Sequence, residues 1–371
     1  MQASELSSLT TQVLWAGFLL SVVFGAIAQR THFCTMGAVS DVVNMGDWTR
    51  MRQWALAIGV AMIGFALLGY TGLIDPAKTL HASTRWTWLS ASVGGALFGF
   101  GMVLASGCGS KTLVRIGAGS LKSIVVLVVM AVAAFATLKG ITAVLRVATV
   151  DRVAVDMASG VTLWQFAATT FGVKPALAGL VLGVGLGCVL ALWALSQKGF
   201  CKPDNLLAGV GLGLVISAMW WVSGGLGYVA DHPETLQEAF LATNSSRSEA
   251  MSFVAPVAYT LDWVIFFSDK SKLLTLGIVS VVGVIAGSAA TALISRTFRW
   301  EGFGGVEDVG NHLGGAVLMG VGGVTAMGCT VGQGLTGIST LSANSFVAVA
   351  AIIAGAVLAF KYQIWRLDRG G

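Results

Sequence analysis

Nine apolar runs separated by short polar stretches dominate the chain, at 13–28, 54–74, 91–107, 121–140, 175–195, 205–229, 273–295, 308–327 and 345–361. Each approaches the ~20 residues an α-helix needs to cross the hydrocarbon core of a bilayer. The pattern predicts an all-α, polytopic integral membrane protein with about nine transmembrane helices, a single membrane domain over 1–371. The runs at 91–107 and 308–327 are glycine-rich and less uniform, so either is a candidate re-entrant segment. A mixed stretch at 144–173, with Arg146, Asp151, Arg152 and Asp156, is expected to form an interfacial helix rather than a tenth span. The first run lacks the positive flank of a secretory leader and is expected to stay as the first helix.

The pattern repeats weakly along the chain. QRTHFC at 29–34 echoes QKGFC at 197–201, and GGALFGFGMVLASGC at 94–108 echoes GGAVLMGVGGVTAMGC at 314–329. Two pseudo-repeat halves are expected, about 12–150 and 175–365, with an outside-facing loop insertion at about 230–272. Matching glycine-interrupted segments in two halves point to a binding site near the membrane midplane.

Composition narrows the class. The chain is 56% hydrophobic and 11% charged, against roughly 25% charged in soluble proteins. That excludes a soluble enzyme and a disordered protein. Glycine is 49 of 371 residues, nearly twice the usual ~7%, which suits close helix packing or irregular backbone around a cavity. The net charge of +5 does not indicate nucleic acid, because the cations sit in short loops, as orientation signals do. Arg30, Arg50, Arg52, Arg296, Arg299, Lys361, Arg366 and Arg369 mark one side. The loop at 230–272 carries Asp231, Glu234, Glu238, Glu249, Asp262 and Asp269. The expected orientation is N-terminus outside (periplasmic) and C-terminus inside (cytoplasmic).

Candidate chemistry centres on cysteine. Cys108 and Cys329 each end an apolar run in a Gly-Cys pair, where the chain breaks into small and polar residues. Gly107, Gly109 and Gly328 would let a ligand approach main-chain N–H groups, with Thr330 and Gln333 close by. A helix starting after such a break points partial positive charge at the site. Cys34, in THFCTMG, and Cys201, in GFCKPDN, follow an aromatic residue at the end of a span and read as thiols at a pathway mouth. Cys188, in VGLGCVLAL, reads as helix packing. The bland alternative for each is a buried cysteine acting as a small hydrophobe. Lys111 and Arg115 follow Cys108 and form either an electrostatic funnel for an anion or a topology signal. No metal-ligand spacing or nucleotide loop is present, and no cofactor is expected.

The motifs GGALFGFGMVLASGCG, MGCTVGQGLTGIST and FCTMGA resemble the YeeE/YedE-type membrane proteins, over about 12–365. The resemblance implies nine spans in a bacterial inner membrane and a central pathway with cysteine-bearing loops. It also implies uptake of thiosulfate or a closely related sulfur anion, beside a small TusA-like sulfur-carrier protein. Carried over, Cys108 and Cys329 match the pathway cysteines and Cys34 the N-terminal motif; Cys201 matches less well. A dianion with a soft terminal sulfur wants donors and no carboxylates, so the cysteines are expected to work as neutral thiols, S–H being a weak donor suited to a soft acceptor. No Asp or Glu lies within ten residues of Cys108 or Cys329. Alternatives are a membrane thiol sulfurtransferase working through cysteine persulfides, or a transporter of a selenium anion.

Overall fold

In a bilayer, backbone N–H and C=O groups find no water, so an apolar chain satisfies them internally by forming helices. The computed structural model describes residues 3–233 and 235–370; Glu234, counted above among the acidic loop residues, lies outside them. Its helices are α1 (Ala3–Arg30), α2 (Thr35–Met45), α3 (Thr49–Tyr70), α4 (Trp88–Leu104), α5 (Gly109–Gly117), α6 (Leu121–Lys139), α7 (Ile141–Ala148), α8 (Leu163–Phe171) and α9 (Pro175–Leu195). They continue with α10 (Pro203–Leu206), α11 (Leu212–Trp221), α12 (Ala255–Ile265), α13 (Leu276–Ile294), α14 (Val306–Thr325) and α15 (Ala343–Gly370). π-helical turns join α10 to α11 and extend α11 to Leu226, and another forms Thr330–Gly337.

Among the described residues, nine segments are long and apolar enough to cross a membrane, and each coincides with one predicted run. Three exceed prediction because a second, short helix follows a break: Glu5–Met45, Trp88–Gly117 and Val306–Gly337. The stretch at 144–173 forms no span; short helices and a two-residue strand, β2 (Val155–Asp156), occupy it.

The connections gather on two faces. On one, β1 (Arg85–Trp86) pairs antiparallel with β2, Thr79 bridges Ser248, and Thr162 bridges Ser342. The hairpin β3 (Tyr228–Val229) and β4 (Ala239–Phe240) lies there too, held by an ion pair between Lys78 and Glu238. On the other, Ser120 bridges Glu301, Arg30 pairs with Asp204 at 3.3 Å, and Arg366 pairs with Glu307 at 2.8 Å. Successive spans therefore alternate between an acidic-loop face and an arginine-rich face.

Helix partners cross the chain. α1 packs on α13 and α9 on α3; α4 packs on both α14 and α15, and α14 also on α6. Glycine sets the closest crossings. A Cβ on Gly59 would lie 2.6 Å from the Gly187 carbonyl oxygen, and one on Gly187 would lie 2.7 Å from that of Gly59. Gly101 and Gly315 face each other in the same way, at 2.7 and 2.6 Å. Such contact brings backbones together where no hydrophobic drive operates between helices.

The stretch expected as an outside-facing loop insertion, at about 230–272, enters the core in part. Met251, Phe253 and Val254 are fully buried, and α12 packs on α6 and α13. Its apolar run is too short to span, so it fills the core from one face instead. Cys188 is not packed between helices but exposed on α9. That helix docks on α3 through Gly183 and Gly187, and turns Val181, Val189 and Leu192 outward with Cys188.

Gly59→Val is expected to destabilise the protein by the ~1–3 kcal/mol typical of overpacking, read as a lower melting temperature in detergent. Gly185→Ala, with nothing near its added carbon, should melt like the wild type. Equal melting of both variants would remove the α3–α9 crossing as a constraint.

Candidate functional site

Three breaks share one backbone design. The residue two before each buried cysteine sits in the left-handed region: His32 at φ 52°, Ser106 at 56° and Met327 at 57°. The next amide reaches back five residues, Phe33 to Ala28 at 3.2 Å, Gly107 to Met102 at 2.8 Å and Gly328 to Gly323 at 2.8 Å. This is the left-handed closure that usually ends a helix at glycine; a residue with a Cβ costs roughly 1–2 kcal/mol there. The cysteine that follows is extended and caps the next helix. Cys34 caps α2, Cys108 caps α5, and Cys329 caps the turn at Thr330–Gly337. Gly199, at φ 88°, stands in the same place before Cys201, but Cys201 is exposed.

The three cysteines at these N-cap positions are buried, with 7%, 1% and 0% exposure for Cys34, Cys108 and Cys329. Cys34 Sγ accepts from the Gly37 amide at 3.4 Å. Cys329 Sγ accepts from the Gly332 amide at 3.4 Å, with the amides of Phe253 and Val331 also directed at it. Cys108 Sγ lies 3.2 Å from Ser110 Oγ. Cys108 lies within electrostatic range of both Cys34 and Cys329. Thr330, predicted as a site residue, is buried with its hydroxyl unpartnered, as is the hydroxyl of Thr35. Unpaired buried polar atoms need a ligand, an ion or a water to account for them. Each follows its cysteine directly.

The predicted glycines serve different ends. A Cβ on Gly107 would lie 3.2 Å from Lys111 Cγ, and one on Gly328 would lie 3.2 Å from Gln333 Cγ. Gly109 is the first residue of α5, where a side chain would meet Phe253 O at 3.6 Å. Phe253 therefore lies between the two Gly-Cys breaks. Gln333 is buried but committed: its Nε2 donates to Ala326 O at 2.6 Å and its Oε1 accepts from Ser345 at 2.6 Å. It braces the break against α15.

Charge is one-sided. Lys111 is half-buried, within electrostatic range of Cys34, Cys108, Arg115 and Arg50. Among the described residues it has no carboxylate partner within ion-pair distance, and neither has Arg115. Arg50 pairs with Asp41 at 3.3 Å. His312, on α14, holds Asp308 through Nδ1 at 2.9 Å. On the acidic-loop face, a cavity of about 220 Å³ reaches inward to Gly328 and Gly332, beside Cys329. Its wall includes His81, Arg146, Glu249 and Tyr259. Burial pushes His81 down to about 4. It pushes Glu249 above the ordinary carboxylate range, and Tyr259 above the usual phenol value, with Glu249 adding to the Tyr259 shift. A larger cavity, about 920 Å³, lies between α3, α8 and α9 and touches none of the cysteines.

Sequence reasoning missed Thr35, Phe253 and Glu249 as site residues. The Cys-Thr pair shared by FCTMG and GCTVG was a signal for Thr35. Nothing marked the other two.

The profile of the family described as Sulphur transport matches residues 30–358. The chain is 24% identical over 356 residues to the thiosulfate transporter TsuA of Escherichia coli, across 92% of both chains. It is 27% identical over 370 residues to the thiosulfate transporter TsuA of Spirochaeta thermophila, across 92% of this chain and 97% of that one. Over 111 residues it is 32% identical to the probable transporter YedE of Escherichia coli, covering 30% of this chain and 26% of that one.

The left-handed breaks are testable by substitution. Met327→Gly should melt at or above the wild-type temperature. Met327→Ile, a β-branched residue forced to positive φ, should lose about 1–2 kcal/mol. The reverse order, measured in detergent, would contradict the backbone assignment.

Proposed function

The chain belongs to the sulphur transport family, and from that premise we propose that it takes up thiosulfate across a bacterial inner membrane through the three cysteine breaks. One observation carries the pathway: Cys108 lies within electrostatic range of both Cys34 and Cys329, each cysteine holds the N-cap position of the helical segment after its break, and no carboxylate lies close in sequence to Cys108 or Cys329. Helix N-termini attract anions. The sulfurs of Cys34 and Cys329 already accept backbone N–H bonds, which leaves each S–H proton to donate to a passing anion. Cys329 serves the vestibule on the acidic-loop face, and Cys34 and Cys108, with Lys111 and Arg115, serve the arginine-rich face. The positive-inside rule makes the arginine-rich face cytoplasmic, so the N-terminus is outside and the C-terminus inside. A small TusA-like carrier would receive the sulfur anion there. The exchanged packing of α1 on α13 and α9 on α3 supports two interlocked halves around this path.

The persulfide alternative draws support from thiols at helix N-termini near Lys111, a setting that favours thiolate. Relatives named as transporters favour passage of an intact anion. Recovery of unchanged labelled thiosulfate inside proteoliposomes, with sulfate and selenite as competitors, tests the reading. Persulfide on Cys108 after turnover, with no intact thiosulfate inside, would overturn it.

Cys108→Ala and Cys329→Ala should each reduce uptake by an order of magnitude, the scale of one lost buried hydrogen bond of ~1–3 kcal/mol. Cys188→Ala should be silent. Wild-type uptake by either buried-cysteine variant at equal expression would remove thiols from the mechanism.

Changing Lys111 and Arg115 together to Gln should slow uptake mainly at low substrate and low salt, because these cations raise local anion concentration. The deficit should shrink near 0.1 M salt, where the Debye length is ~10 Å. Equal rates for variant and wild type at low salt would make the two residues topology signals only.

A further inference from the structure

We propose that Glu249 is a proton-operated gate: its neutral carboxyl admits the dianion to the vestibule beside Cys329, and its ionised carboxylate turns the dianion away. The proposal rests on the transport reading above and adds a control to it.

The geometry comes first. Glu249 lines the same cavity as Gly328 and Gly332, the residues flanking Cys329 and its cap. Its carboxyl is fixed in the wall. Oε1 accepts from the Asn244 amide at 3.3 Å, and Oε2 accepts from Ser245 Oγ at 2.8 Å. Its own amide donates to Ser223 Oγ at 2.9 Å. Among the described residues no Lys, Arg or His lies within ion-pair distance of it. An unpaired carboxylate lining a narrow anion vestibule would repel the substrate through a poorly screened medium.

The surrounding groups leave Glu249 as the one vestibule carboxyl with no cationic partner among the described residues. His81, from the loop before α4, titrates at about 4 and is neutral above that. Arg146, on α7, is paired with Asp151 at 3.1 Å. Tyr259, on α12, is pushed above the usual phenol value and stays neutral. Asp262, on the same helix, is paired with Lys272 at 2.6 Å. Arg247, on the loop of Glu249, donates to the Ala82 carbonyl at 3.3 Å. The residues of α6 and α13 that line the cavity, Leu138, Leu276, Gly277 and Ser280, carry no charge, and neither do Met327, Gly328, Gly332 and Thr336. Enclosure raises the Glu249 carboxyl, so it holds its proton to higher pH than a free carboxyl and ionises as pH rises through its shifted value. The gate is therefore open in acid and closes with rising pH.

The test is initial uptake of labelled thiosulfate into proteoliposomes with equal pH on both sides, from about pH 5 to 8, the range open to a raised carboxyl. Wild-type uptake should fall by on the order of tenfold across it. Glu249→Gln should hold the acidic rate throughout, and Glu249→Asp should keep a pH-dependent fall. Glu249→Ala serves as a second neutral variant if Gln does not yield a monodisperse protein. A wild-type rate independent of pH, or an unchanged fall in the neutral variants, overturns the gate while leaving transport intact. Absence of thiosulfate uptake by the wild type at every pH overturns the transport reading itself.

Discussion

A helix interrupted inside a bilayer must return each freed amide and carbonyl to a partner, and the cysteine breaks are built around that requirement. The left-handed residue lets the Phe33, Gly107 and Gly328 amides bond back into the helix just ended. The next helix begins immediately, and its exposed amides are met by thiol sulfur at Cys34 and Cys329. What is left over is partial positive charge at helix N-termini, the Thr35 and Thr330 hydroxyls and S–H protons. An anion can use all three. A cation would find no carboxylate near Cys108 or Cys329 in sequence to replace its water.

That arrangement needs the spans to come close. Reciprocal glycine contacts such as Gly59 with Gly187 and Gly101 with Gly315 bring backbones together at the crossings. At Gly109 an added Cβ would only reach ordinary contact with Phe253, which directs its amide at Cys329. The glycine surplus is thus partly scaffold and partly site. Gln333 shows the same division: it is a polar residue near Cys329, but its amide is consumed in holding Ala326 and Ser345 in register.

The two faces carry different electrostatic work. Lys111 and Arg115, without carboxylate partners at ion-pair distance among the described residues, put positive charge at the Cys34–Cys108 end, where Arg50 is paired with Asp41. The Cys329 end opens to a small vestibule whose charged residues are either paired, as Arg146 is with Asp151, or held neutral by burial, as His81 is above about pH 4. In such a space a single ionisable carboxyl changes the local field more than any surface charge, because water and salt screen it poorly.

The span count, the all-helical class and the breaks at Cys108 and Cys329 were legible in the sequence, because bilayer thickness sets run length and local composition marks where a run fails. The shared placement of Cys34 was legible from its motif. The neighbourhood of Cys34, Cys108 and Cys329 was not, since it depends on how α2, α5 and the turn at Thr330–Gly337 are brought together by distant helices. Cys188 and Cys201 looked like members or packers on local pattern, and both proved exposed. The folding of Met251–Val254 into the core and the placing of Glu249 at the vestibule were also decided in three dimensions. An apolar run too short to span, in an acidic loop, has no periodic signature to say which surface will bury it; only the assembled bundle supplies that surface.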